Sequence, residues 1–109
     1  MDYTWTVSRI GRKDVTNANG DVLTDAIVMV KWKKTGTDAD GNVGVYLGTS
    51  TLDPVNTSIG DFISLDSVTT DNLLSWVQSG ISESFMEKID AVIADQIVKD
   101  ELAISDWNG

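Results

Sequence analysis

The chain has no cysteine, no histidine and a single proline. Without cysteine there is no disulfide, no thiolate metal site and no thiol nucleophile. Without histidine the commonest general acid–base and the commonest metal ligand at neutral pH are missing. Ser–His and Cys–His triads and histidine-ligated zinc chemistry are thereby excluded. Long apolar runs are missing too. The longest strongly apolar stretch, Ala26 to Val30, is the size of a strand, far short of the roughly 20 residues of a membrane-spanning helix. The opening segment MDYTWTVSRIGRKD has no apolar core of the kind a secretory signal needs. The expectation is a protein made in a cytoplasm, with no membrane partner. Glycine-rich phosphate cradles are absent, since GDVLTD and GNVGVYLG lack the lysine and the strand-to-helix setting. No cofactor is expected.

Positive charge is scarce and unevenly placed. Residues 1–60 carry a net charge of −1 and residues 61–109 one of −8, within a total of −9. With a pI near 4.1, ordinary phosphate-backbone binding is disfavoured and no nucleic-acid partner is expected. The apolar fraction of 41% and charged fraction of 23% are those of a globular protein, and 109 residues make one domain. Within it, residues 1–66 read as a sheet, 67–102 as two helices and 103–109 as a tail.

The sheet part follows from period-two patterns. In YTWTVSRI, Tyr3, Trp5 and Val7 alternate with Thr4, Thr6 and Ser8, which predicts a half-buried strand that Gly11 breaks. Asn19-Gly20 is a tight-turn signal. VLTDAIVMVKWKK, residues 22–34, predicts the longest strand. Val28, Val30 and Trp32 share one face, Ile27, Met29, Lys31 and Lys33 the other, and the strand emerges into solvent near Lys33. Asp40-Gly41 marks a second hairpin turn. Val43, Val45 and Leu47, alternating with Gly44 and Tyr46, predict a third strand. Residues 48–61 read as a polar loop, and Phe62, Ile63 and Leu65 offer one more short strand.

The helices follow from period 3.6. Thr69 or Thr70 can cap the first, Leu73, Leu74 and Val77 form its apolar stripe, and Gly80 ends it in a left-handed cap. In the second, either Ser84 with Glu87 or Ser82 supplies the cap. Phe85, Ile89, Val92, Ile93, Gln96 and Ile97 lie on one face, Asp90, Asp95 and Lys99 face water, and the helix runs to about Glu101. The predicted architecture is α+β: a three- to five-stranded, mainly antiparallel sheet packed by two C-terminal helices.

Each chemical motif has a plainer counterpart. DADGN at 38–42 resembles the start of a calcium loop, but Thr49 stands where the bidentate glutamate belongs and Val43 where the glycine belongs, so a hairpin turn is expected and no metal. The carboxylates of the last helix, Glu87 and Asp95 among them, read as a solvated face, with a DNA-mimicking surface as a second non-catalytic option and a host-docking face as the third; they lack the burial that splits carboxylate pKa values for catalysis. No enzyme activity is expected. Arg9, Arg12, Lys13, Lys31, Lys33 and Lys34 hold most of the positive charge, with Trp32 inside KWKK. Basic residues interleaved with an aromatic are a nucleic-acid-binding pattern; the plainer reading is that they guard sheet edges, and a third is that they meet the acidic helix of a neighbouring copy. Trp5, Trp32 and Trp76 read as core. Trp107, in the tail, either anchors in a partner's pocket or folds back on its own sheet. The partner-binding candidates are thus Trp107, Lys31, Lys33, Lys34, Glu87 and Asp95.

YTWTV at the start, VMVKWKKTGTDADGN, FISLDSVTTDNLLSWVQSGI, EKIDAVIADQI and the closing Trp107 together resemble a group of small tailed-bacteriophage proteins, particularly those of phages infecting cyanobacteria. The resemblance spans nearly the whole chain at the level of pattern, and LLSWVQSGI and IDAVIADQI are its most specific parts. It implies a phage origin and a place in the virion, with no catalytic residues to carry over. The expected function is therefore a structural virion component, such as a head decoration or cement protein or a small tail or neck subunit. Its partners would be major capsid or tail proteins, or further copies of itself. The alternative is an acidic phage protein that binds and modulates a host protein.

Overall fold

Two turn-forming segments set the topology. Asn17 is buried, and its side-chain oxygen accepts from the N–H groups of Asn19 (3.0 Å) and Asp21 (2.8 Å), while Gly20 takes a positive φ of 85°. Asp38 does the same for the next turn, accepting from Asp40 (3.0 Å) and Asn42 (2.9 Å), with Gly41 at φ 83°. The DADGN segment is thus a hairpin turn. Its backbone hydrogen bonds, that from Asn42 first, hold the Asp38 carboxyl below its ordinary value of 3.8.

The computed structural model describes residues 1–100, 105 and 106. The turns join β1 (Asp2–Thr16), β2 (Val22–Thr37) and β3 (Val43–Thr51) into an antiparallel three-stranded sheet of order β1-β2-β3. Two short 3-10 turns follow, Pro54–Asn56 and Leu65–Ser67, then α1 (Thr70–Ser79) and α2 (Glu83–Asp100). The fold is α+β, with the N-terminal sheet packed against the two C-terminal helices. Phe62 and Ile63 form no strand, and Leu65 opens the second 3-10 turn.

Gly11 does not end β1. It sits opposite Met29, and a Cβ on it would lie 3.0 Å from the Met29 Cβ, so glycine there gives the neighbouring side chain room. The strand continues to Thr16 through three irregularities in its register with β2. The first leaves Ser8 unpaired between Val7↔Trp32 and Arg9↔Lys31. The second leaves Val28 unpaired. The third sets Thr24 and Asp25 against Asp14 alone, with Asp25 at φ 53°. Each bulge shifts the side-chain alternation by one. Ser8 therefore puts Ile10 under the helices and Arg9 on the opposite face. Val28 lets Ile27 and Val30 both be buried, although a strict period of two would separate them.

β3 covers only Met29–Thr37 of β2, so the remainder of the hairpin projects as a two-stranded ribbon. Its tip is tied down by Ala18 N–H to the Val55 carbonyl (2.7 Å) and the Asn17 side-chain amide to the Thr57 carbonyl (2.9 Å). The result is a long molecule, 65 × 32 × 25 Å with a radius of gyration of 18.5 Å, against about 13 Å for a compact domain of this length.

The helices cover one face of the sheet. Thr69 caps α1 in a reciprocal box with Asn72 (3.2 and 3.0 Å). Ser82 accepts from the Phe85 N–H (3.2 Å) at the start of α2. Gly80 ends α1 in a right-handed conformation, φ −87°, which replaces the expected left-handed cap. Leu73 and Val77 of α1 join Ile89, Ile93 and Ile97 of α2 over Ile27, Val30 and Trp32. Ile89, Ile93 and Ile97 repeat every four residues, a narrower stripe than the sequence predicts, and Phe85 and Val92 at its margins stay partly exposed. Trp5 and Trp76 are half-buried against this cluster. Gly36 and Gly44 are cross-strand partners beneath Ile93. A Cβ on Gly44 would collide with the Ile93 backbone carbonyl, so α2 can approach the sheet only where these side chains are absent. Gly48 lies under the Trp32 indole in the same way.

Candidate functional site

The covered face of the sheet spends its polar groups internally. By alternation Lys34 falls on the same face as Val30 and Trp32, and it is only 4% exposed. Its Nζ lies 2.5 Å from Asp90 Oδ1, 3.3 Å from Met86 Sδ, 4.1 Å from the Tyr3 ring centroid and 5.1 Å from that of Trp5. The ammonium is thus held by one carboxylate and two aromatic rings. The same surroundings raise the Tyr3 phenol above its ordinary 10.0, through desolvation first and the Asp90 charge second. This corrects two expectations: Lys34 is an internal ion-pair partner and no docking residue, and Asp90 turns toward the sheet. The physical reason is that burying β2 against α2 leaves an ammonium at this position only if a carboxylate comes with it.

Among the described residues nothing covers the other face of the sheet. In register across the strands it presents the rows Arg9–Lys31–Thr49, Thr6–Lys33–Leu47, Thr4–Thr35–Val45 and Asp2–Thr37–Val43. Leu47 is 74% exposed and Val43 44%. Arg9, Lys31 and Lys33 are exposed, and among the described residues none of the three makes a salt bridge. The structure therefore brings Lys31 and Lys33 together and adds Arg9, beside an aliphatic row from β3. The two predicted acidic positions lie elsewhere. Glu87 is exposed on α2, and Asp95, also exposed, pairs with Lys99 at 2.8 Å, which raises the Lys99 pKa above its ordinary 10.5. Trp107 lies outside the described residues.

The outer edge of β3 adjoins this face. The Gln96 side-chain amide from α2 takes the Val45 N–H (2.8 Å) and gives a hydrogen bond to the Val45 carbonyl (2.6 Å). Leu47 and Thr49 point their backbone groups the same way by alternation, and no protein group among the described residues pairs with them. Beside that stretch lies an open groove of about 520 Å³ between Tyr46–Ser50 and the segment Gly80–Phe85. An aromatic series runs to it across the sheet: Trp5 to Trp32 at 5.1 Å, Trp32 to Tyr46 at 5.7 Å, Tyr46 to Phe85 at 6.2 Å between centroids. The indole N–H of Trp32 donates to Ser50 Oγ at 2.9 Å.

A second cleft, about 390 Å³, opens between β2, the 52–63 loop and α1, with Ile27, Leu52, Phe62, Val68 and Trp76 on its walls. Its two carboxylates are already engaged: Asp53 caps the first 3-10 turn through the Val55 N–H, and Asp61 accepts from the Ser58 hydroxyl at 3.0 Å. Neither is set up as an acid–base partner of the other. Among the described residues no helix is long and apolar enough to cross a membrane, and no group of His, Cys, Asp or Glu side chains converges as a metal site would require.

In comparisons with known proteins, the family model described as Domain of unknown function (DUF7936) matches residues 1–108. No curated protein and no solved structure matches the chain.

Proposed function

We propose that this chain, which belongs to the DUF7936 family, is a non-enzymatic structural protein of a bacteriophage virion. It would serve as a head decoration or cement protein or as a small tail or neck subunit, acting through repeated protein–protein contacts. One observation carries the contact function: one face of the sheet, with an adjoining strand edge, has no cover among the described residues. A sheet face normally buries itself or is made uniformly polar. This one combines an aliphatic row with unpaired cations. The phage setting is supported by the sequence resemblance across nearly the whole chain.

The host-binding alternative depends on the acidic helix, two of whose carboxylates, Asp90 and Asp95, are ion-paired inside the chain. Mass spectrometry of purified phage particles tests the reading. The chain is expected in the particle at a copy number that follows the symmetry of its host lattice. Its absence from particles, with presence in infected-cell lysate, would overturn the virion role.

A further inference from the structure

We infer that the outer sheet face, opposite the helices, binds a second copy of this same chain, and that it does so through the neighbour's acidic loop-and-helix layer. The inference rests on the structural-protein reading above and names its partner.

The first ground is an uncompensated charge cluster. Arg9 and Lys31 are direct cross-strand partners, and like charges placed opposite one another destabilise a sheet. Lys33 lies two residues along the same face. The chain holds 17 carboxylates against 8 basic side chains, yet none of them reaches this trio among the described residues, while Arg12, Lys34 and Lys99 are each paired. In a strongly acidic protein, three neighbouring cations left without a counter-ion form a surface that attracts carboxylates.

The second ground is that the chain itself carries the complement, on the opposite side of the sheet. From Thr35 to Glu87 there is no Lys or Arg at all. The layer that covers the inner face exposes Asp53, Asp61, Asp66, Asp71, Glu83 and Glu87. The outer face thus carries three cations with Asp2 as its one acidic residue, and the covering layer is predominantly anionic, with Lys88 and Lys99 its exposed basic residues. Two copies stacked in the same sense bring the two sides together, whereas a two-fold pairing of cationic faces sets like charges against each other. The contact is therefore heterologous, the kind that generates rings or open stacks.

The third ground is size. Three strands about 4.8 Å apart and nine residues at about 3.3 Å each give a face of roughly 14 × 30 Å. Stacking on it buries on the order of 800 Å² in total, below the roughly 1,200–2,000 Å² of a stable pair. A single contact is weak and salt-sensitive, and it becomes effective when many copies are held in an array.

Amide NMR spectra of the isotopically labelled chain, recorded over a dilution series at low and at high salt, test this. Concentration-dependent shifts are expected on two separate surfaces, around Arg9, Lys31, Lys33 and Thr49 and around Asp61, Asp66 and Asp71, and they should collapse in high salt. Two exposed-site variants sharpen it: Arg9→Ser/Lys31→Ser/Lys33→Ser, and Asp61→Asn/Asp66→Asn/Asp71→Asn. Each alone should lose the shifts while keeping the wild-type circular dichroism. Mixed together they should form a complex that stops at one copy of each, because each variant retains one intact side. Spectra that do not change with concentration at low salt, or shifts confined to a single surface, would overturn the inference. A chain found in particles but unable to self-associate would leave the virion reading intact and sink this one. A chain that stacks but is missing from particles would do the reverse.

Discussion

Lys33 and Lys34 are adjacent in the chain and lie on opposite faces of one strand. Lys33 looks out from the outer face among threonines and a leucine, with no salt bridge among the described residues. Lys34 is enclosed by Asp90, Met86, Tyr3 and Trp5. The inner face has been tailored to a fixed neighbour: glycines where α2 comes close, one ion pair, one side-chain amide on the strand edge. The outer face has no fixed neighbour among the described residues: Gly11 makes room only for Met29 of the adjacent strand, and Arg9, Lys31 and Lys33 form no salt bridge there. A sheet whose two faces differ this much has one neighbour supplied by its own chain and room for another from outside.

The contrast breaks most visibly at the helix contact. Ile93 of α2 is fully buried against the sheet, and Ile93→Ala should cost about 3–4 kcal/mol through lost burial and the cavity left behind. Leu47→Ala on the outer face should change stability by no more than about 0.5 kcal/mol. Urea unfolding midpoints at constant slope measure both, and similar losses would mean that the two faces are equally packed. The lysines give the next largest difference. Asp90→Ala leaves an ammonium on the inner face without its carboxylate, at an expected cost of about 2–3 kcal/mol; the cost falls below that of a fully buried pair because the Asp90 side chain is 34% exposed and water can reach the site. Adding Lys34→Met should restore most of that loss, since an apolar chain of similar volume needs no counter-charge. Lys33→Ala should be near neutral.

The smallest effect belongs to the β2–β3 turn. Because the Asp38 carboxyl sits below its ordinary 3.8 in the folded chain, its contribution is fully present above that value. It fades as the pH falls through the lowered folded-state value. The stability difference between the wild type and Asp38→Ala should therefore be constant near neutrality and shrink in acid below about pH 4. A difference that grows on acidification would contradict the hydrogen-bonded turn.

Much of the architecture could be read from local pattern, because turns, caps and stripes are local physics. Asn19-Gly20, Asp40-Gly41, Thr69 and the Ile89–Ile93–Ile97 series all act within a few residues of themselves. The bulges were not legible. Nothing in SRIGR announces that Ser8 will drop out of register, yet that slip decides that Arg9 faces outward beside Lys31. The glycines of β3 are the opposite case. The alternation of Val43, Val45 and Leu47 with Gly44 and Tyr46 predicts the strand but not its buried side, which Gly44 and Gly48 mark, since only there must the strand leave space for a helix and an indole. Lys34 could have been placed by extending the alternation of Val30 and Trp32 one step further. Its partner could not, because Asp90 lies 56 positions away and the pairing exists only once α2 has docked. Of the candidate contact residues, Lys31 and Lys33 were placed correctly together on an exposed face, and what the sequence hid was the company they keep.

The Gln96 amide has one further consequence. It offers Val45 an acceptor and a donor with the spacing of a peptide group, so β3 meets what amounts to a fourth strand one residue long. Growth of the sheet is sealed at that point. Any extended segment that joins this rim must end before it reaches Val45 and is restricted to the stretch from Leu47 to Thr51, which caps the length of such an addition without blocking it.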